Sequence, residues 1–297
     1  MKILITGANG LLGQHLVKIL LENNYQVFAT GRGTQRLSFD NFPRYSWHEM
    51  DIADPQAVAR VMNAIQPDVV IHAAAVTQVD DCELNPQQCE RTNVQGTANV
   101  LLEAESYCRH FIYISTDFVF DGKTGNYAEE DYLKPISFYG FTKMQAEALV
   151  QTADLPWAIV RTCLVYGNVL QGTRSNIISW VRDSLQQKKN IRVVADQFRT
   201  PTYVEDLAKG ILLIVEKKAE GIFHLSGKDT LTPYQMAIQT AEYLQLDKSF
   251  IEQVDASTFT QPGRRPPKTG FNIEKARKEL GYEPLSFAEG LKKLLDG

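Results

Sequence analysis

The sequence is short of cysteine and histidine. Its four cysteines, at 82, 89, 108 and 163, match neither a C-x-x-C pair nor a zinc spacing. They are expected to be reduced thiols of a cytoplasmic protein, three of them core or half-buried. The five histidines are scattered and form no H-E-x-x-H pattern, so no metal site is expected. Basic residues do not cluster beyond pairs such as Lys188–Lys189 and Arg264–Arg265, and the formal net charge is −4. That balance excludes nucleic acid and acidic membranes as expected partners. No apolar run reaches the length of a membrane span. "MKILITG" has no basic and apolar leader before it, so no signal peptide is expected.

What is present is ordinary globular composition, 44 % hydrophobic and 22 % charged over 297 residues. That is enough for one large α/β domain or two moderate ones. Short apolar runs alternate with helical patterns: "KILITG", "YQVFAT", "DVVIHAA", "HFIYIST" and "WAIVRTCLVYG" against 11–21, 55–65, 86–108 and the segment carrying Tyr139. Near-continuous β-branched and aromatic runs are buried on both faces, and helices between them make the strands parallel. The expected fold is α/β, a doubly wound parallel sheet of Rossmann type. Residues 1–168 form the dinucleotide-binding part. Residues 169–297 form mostly a smaller C-terminal substrate-binding lobe, with some later segments returning to the first. Within it, Thr232 and Pro233 open a helix, "QPGRRPPKTG" is a loop, and the helix after Asn272 stops at Gly281.

"TGANGLLG" places Gly7, Gly10 and Gly13 directly after a strand and at the opening of a helix. Glycine lets the backbone turn sharply and approach a pyrophosphate, which then sits on free N–H groups at the positive helix end. At the end of the second strand Arg32 stands where a carboxylate would accept from a ribose 2′-hydroxyl. An arginine there favours a 2′-phosphate, hence NADP over NAD. Asp51 either bonds an adenine amino group, with Ile52 on the ring, or caps a helix start. Ala73, Ala74 and Ala75 end a strand where a cofactor needs room, and His72 before them reads as a core histidine. "YISTDFVFDG" ends a strand with Ser115, Thr116 and Asp117, where ligands of open parallel sheets bind. Tyr139 and Lys143 lie four apart on the next helix, side by side. A phenol titrates near 10, and an adjacent ammonium lowers that value. Tyr139 can then exchange a proton with an alcohol oxygen that Thr116 also holds.

These residues resemble the extended short-chain dehydrogenase/reductase family over essentially the whole chain. "AAAVTQVDDCE", "YISTDFVFDG", "YGFTK", "RTCLVYG", "DQFRTPTYVEDLA" and "RRP" together are most similar to its dTDP-4-dehydrorhamnose reductases. The resemblance implies a nicotinamide cofactor along Gly7, Gly10, Leu11, Leu12 and Gly13. It would continue past Arg32, Asp51 and Ile52, along Ala73, Ala74 and Ala75, to Tyr139 and Lys143. It implies catalytic Thr116, Tyr139 and Lys143, Asn93 helping to fix the lysine, and Asp117 at the sugar. Leu164 in "RTCLVYG" replaces the tryptophan that lines the sugar pocket in "RTSWVYG". Arg264 or Arg265 either meets the nucleotide diphosphate or is a solvated loop residue. The implied activity is NAD(P)H-dependent reduction of a nucleotide-linked 4-keto-6-deoxyhexose in dTDP-L-rhamnose and polysaccharide biosynthesis. The enzyme would be cytoplasmic, and a homodimer is compatible with this reading. An epimerase or dehydratase of the same family is the first alternative. A non-catalytic dinucleotide-binding subunit resembling the β subunit of methionine adenosyltransferase is the second.

Overall fold

The computed structural model describes all residues except 38, 40, 173–175 and 297. Its central sheet begins with β1 (Lys2–Thr6), β2 (Gln26–Gly31), β3 (Tyr45–Glu49), β4 (Val69–His72), β5 (His110–Thr116) and β6 (Trp157–Thr162). The short strands β7 (Val165–Tyr166), β8 (Ile191–Val194) and β9 (Thr202–Tyr203) lie outside it, and β10 (Gly221–His224) returns to its edge. β11 (Ile251–Val254) pairs with β8 in a separate small sheet. The seven-stranded order is β10-β6-β5-β4-β1-β2-β3. Every pair in it is parallel. This is the doubly wound α/β fold that the alternation of apolar runs predicts.

Side chains alternate across the sheet. Ile3, Ile5 and Ile112 face a core shared with α1 (Leu11–Glu22). Leu4, Val70, Phe111 and Tyr113 face the other, shared with α2 (Pro55–Ile65). α3 (Val79–Leu84) and α4 (Pro86–Glu90) follow β4, and a single π turn, Arg91–Gln95, joins them to α5 (Gly96–Tyr107). α5 and α6 (Phe138–Gln151) cover the α2 face. α7 (Ile177–Gln186) precedes α8 (Val204–Lys217), which packs beside α1. Each fully buried Ile, Leu or Phe in these layers contributes about 1.5–3 kcal/mol.

α9 (Pro233–Tyr243) opens with Thr232 accepting from Gln235 N, and Gln235 returns the bond. α9 and α7 cover the β8–β11 sheet. α10 (Glu274–Leu280) packs on the main core and ends at Gly281 in the left-handed region, φ 73°. α11 (Phe287–Asp296) closes the chain against Tyr166 and Tyr203.

The run "WAIVRTCLVYG" reads as one strand but is two. Thr202 takes the carbonyls of Cys163 through its hydroxyl (2.6 Å) and of Leu164 through its N–H (3.2 Å). That bends the chain at Leu164, φ 39°, and hands β7 to β9. Two cysteines also depart from expectation. Cys82 and Cys89 are bridged by a disulfide, because α3 and α4 meet at Asn85–Pro86 and bring their Cα atoms to 5.1 Å. Cys108 and Cys163 are free. Among the described residues no helix is long and apolar enough to cross a membrane.

Candidate active site

Gly7 turns the chain out of β1 with φ 71°. A Cβ there would stand 2.9 Å from the Cα and N of Ala74, so the exit of β4 crosses it closely. A Cβ on Gly13 would stand 2.4 Å from the Gly7 carbonyl. Gly10, the N-cap of α1, makes no side-chain cap bond, and the first N–H groups of a helix have no intrahelical partner. The cradle therefore fits a pyrophosphate.

Thr6 Oγ1 accepts from Ala73 N (3.1 Å) and Ala74 N (3.0 Å). Its own proton goes to His72 Nδ1 at 2.8 Å. His72 is thereby protonated at Nε2, which donates to Thr97 Oγ1 at 3.1 Å, and Thr97 donates to the Asn93 carbonyl at 2.7 Å. Burial, with Lys143 nearby, lowers the His72 pKa to about 3 and keeps it neutral. His72 is thus a core histidine, and it fixes the backbone of Ala73 and Ala74.

Past β2, exposed Arg32 begins a loop tied to the glycine turn by Asn9. Asn9 donates to Thr34 O (3.1 Å) and accepts from Arg36 N (2.9 Å). The same loop carries a second arginine, Arg36, that the motif reading passes over. Glu49, at the end of β3, accepts from Gly33 N at 3.1 Å. Asp51 accepts from Ala53 N (3.0 Å), while the cap of α2 is Asp54, which accepts from Gln56 N and Ala57 N. Ile52 is buried, and its side chain fills the space above Gly96.

Thr116, Tyr139 and Lys143 come together at the carboxyl end of β5. Ser137 caps α6 by accepting from Gly140 N (3.2 Å), and Glu83 of α3 accepts from Phe138 N (2.7 Å). The Tyr139 ring packs with Val76, Phe118 and the Cys82–Cys89 bridge. Burial pushes its phenol up, opposed by nearby Thr116, with Asp117 adding to the rise. Lys143 Nζ donates to Ile114 O at 2.7 Å and lies 4.1 Å from the Tyr113 ring centre. Burial lowers the Lys143 pKa to about 7, and Glu147 opposes the fall.

Other expected residues stand elsewhere. Asn93, in the π turn, clamps Val76 through N (2.8 Å) and O (3.0 Å) and donates to Thr142 Oγ1 (3.1 Å), so its direct bonds run to the strand exit and to the helix that carries Lys143. π turns often mark functional sites, and this one carries no sequence signal. Asp117 is buried: Thr116 Oγ1 donates to its Oδ1 (3.1 Å), Thr269 donates to Oδ2, Cys163 Sγ lies at 3.3 Å and Arg199 Nε at 4.0 Å. Burial raises its pKa, with Arg199 opposing. Leu164 is 40 % exposed and lines a cavity of about 120 Å³ with Leu11, Gly167 and Asn176. Arg265 grips Asp80 with two bonds, 2.6 and 2.7 Å, while Arg264 faces solvent.

A family model described as the RmlD substrate binding domain matches residues 1–297. The chain is 31 % identical to the spore coat polysaccharide biosynthesis protein SpsK of Bacillus subtilis, over 99 % of this chain and 96 % of that protein. It is 32 % identical to methionine adenosyltransferase 2 subunit beta of Bos taurus, over 86 % of this chain and 76 % of that protein. It is also similar to the crystal structure of a dTDP-4-dehydrorhamnose reductase from Bacillus anthracis in complex with NADP. There the TM-score is 0.85 and the identity 28 %, over 99 % of this chain and 98 % of that one.

Proposed function

The chain belongs to the RmlD substrate-binding-domain family, and from that premise we propose that it is an NADPH-dependent reductase of a nucleotide-linked 4-keto-6-deoxyhexose. The preferred substrate is a dTDP-6-deoxy-4-ketohexose, and the product is dTDP-L-rhamnose or a near relative bound for a cell-surface polysaccharide. The names of the polysaccharide biosynthesis and dTDP-4-dehydrorhamnose reductase relatives support that class.

The observation that carries the reading is the meeting of a hydroxyl, a phenol and an amine beside the strand exit that crosses Gly7. When bound, the nicotinamide supplies the hydride to the ketone carbon. Gly7, Gly10 and Gly13 give the dinucleotide its place, and Leu11 and Leu12 offer their N–H groups to its phosphates. Thr116 holds the ketone oxygen. Tyr139 donates its phenolic proton to that oxygen as negative charge develops there. Lys143 stabilises the phenolate left behind, its position fixed by the Ile114 carbonyl.

The test is NADPH consumption against a panel of 4-keto sugar nucleotides, for wild type and Tyr139→Phe. Loss of the acid is expected to cut kcat by about 10²-fold or more while leaving NADPH binding intact. Absence of turnover from the wild type on every member sinks the reductase reading. The 32 % identity to a methionine adenosyltransferase β subunit gives the non-catalytic, dinucleotide-binding reading its support, and idle but NADPH-binding protein is its signature.

A further inference from the structure

One buried ion pair is untouched by the chemistry above. Glu147 and Arg161 are 0 % and 1 % exposed. Arg161 donates to the Glu147 carboxylate through NH2 (2.8 Å) and Nε (3.0 Å). The hydroxyl of Ser115 also donates to Glu147. On its far side Arg161 donates to the Glu129 carbonyl (3.0 Å) and faces His224 Nε2 (3.4 Å). Desolvating such a pair is costly, and an apolar pair of similar volume would often be as stable. Stability alone is therefore a weak reason for it.

Its position supplies a better one. Tyr139, Lys143 and Glu147 are spaced i, i+4, i+8 on α6, and all three are buried. Successive members of this stripe are neighbours on the helix. β5 holds each member in turn. Ile114 O accepts from Lys143, Ser115 donates to Glu147, and Thr116, the next residue of the strand, lies near Tyr139. The charge that opposes desolvation of Lys143 is Glu147.

We propose that Glu147, fixed by Arg161 and Ser115, is a positioning residue whose carboxylate is the buried counter-charge that holds the Lys143 ammonium under Tyr139. The proposal deepens the reductase reading and rests on its assignment of Tyr139 and Lys143. Arg161 orients the carboxylate and offsets part of its charge. The other ionisable groups around the stripe are Tyr113 on β5, His72 on β4, Asp117 beyond Thr116, and His224 and Glu129 behind Arg161. Burial keeps both histidines neutral and Tyr113 protonated near neutral pH.

The test reads Tyr139 directly and needs no sugar. Tyrosinate absorbance is titrated against pH in the NADP⁺ complex, and the part lost in Tyr139→Phe is assigned to Tyr139. Glu147→Gln/Arg161→Gln removes both charges without leaving one unpaired. Its Tyr139 transition is expected about one pH unit or more above the wild type's. Its kcat should fall about tenfold or more with KM for NADPH little changed. Arg161→Gln alone keeps the carboxylate, so its transition is expected at or below the wild type's. A purely structural role moves both variants the same way. Coincident transitions, equal upward shifts in both, or no Tyr139-dependent transition in wild type each overturn the proposal. Should the double variant not fold, Ser115→Ala keeps both charges and is expected to shift the transition upward by less; no shift there overturns it equally. An idle sugar panel with the shift present loses only the sugar-reductase reading.

Discussion

Arg32 tests the cofactor preference at the scale of one side chain. It is exposed, one residue past β2, on a loop that Asn9 ties to the glycine turn. The loop's shape is set before any ligand arrives, so the guanidinium spends little ordering entropy on binding a phosphate. Glu49 approaches the same loop through Gly33 N, and its carboxylate disfavours an uncompensated 2′-phosphate. Arg32 and Arg36, both exposed on this loop, are the cations available to offset it. Arg32→Ala is expected to raise KM for NADPH about tenfold or more, in line with about 1.5–3 kcal/mol for a charge-assisted bond. KM for NADH should hardly change. Steady-state kinetics with both cofactors measure this, and equal losses for the two would remove the 2′-phosphate assignment.

Gly140 carries the corresponding argument for an element. It lies between Tyr139 and the rest of α6, where a Cβ would stand 2.1 Å from the Phe118 carbonyl. The obstruction is backbone, so either α6 or the turn after Thr116 must move. Gly140→Ala therefore separates Tyr139 from Thr116. Overpacking of this kind costs about 1–3 kcal/mol, read as a lower Tm. A larger fall in kcat than in NADPH affinity is expected, because α1 and the glycine turn are untouched. An unchanged kcat would show that the two elements are not held in register by this contact. The glycine turn, the strands and the Tyr139–Lys143 spacing were legible because each is local: a period, a cap, a four-residue offset. Thr232 capping α9 and Gly281 ending α10 are of the same kind. The resemblance puts Asp117 at the sugar, yet Thr269, 152 residues away, bonds its carboxylate inside the protein. The sequence leaves Arg264 or Arg265 either at a diphosphate or in solvent, but Arg265 is paired with Asp80, 185 residues distant. The Cys82–Cys89 bridge depends on two short helices meeting at a proline. No spacing rule reports any of these, because long-range packing decides them.

At the scale of the molecule, two buried histidines are held neutral by the fold. His72 sits centrally under the glycine turn. His224, on edge strand β10, stacks on Phe271 at 4.0 Å and bonds Tyr127 O at 3.0 Å, joining the sheet to the C-terminal segment. Burial lowers the pKa of each from 6.5 to about 3, with Lys143 adding to the effect on His72 and Arg161 on His224. Between those values the unfolded chain binds a proton that the native chain does not. Stability therefore rises with pH across that window. The contribution is complete above 6.5 and is lost as pH falls toward 3, at about 1.4 kcal/mol per unit for each histidine. Asp117, Glu129 and Asp206 act oppositely, since burial raises their carboxyl pKa values and the native state holds their protons longer. The total slope is a difference, and only a variant isolates one part of it. Denaturant unfolding of wild type and His224→Gln is the measurement, made at several pH values from neutral down to about 4. The variant should be less stable at neutral pH, because the stack on Phe271 is lost. As pH falls, the gap should close by about 1.4 kcal/mol per unit. A gap constant with pH would mean that His224 is protonated in the native protein, and the neutral ring between Arg161 and Phe271 would have to be abandoned.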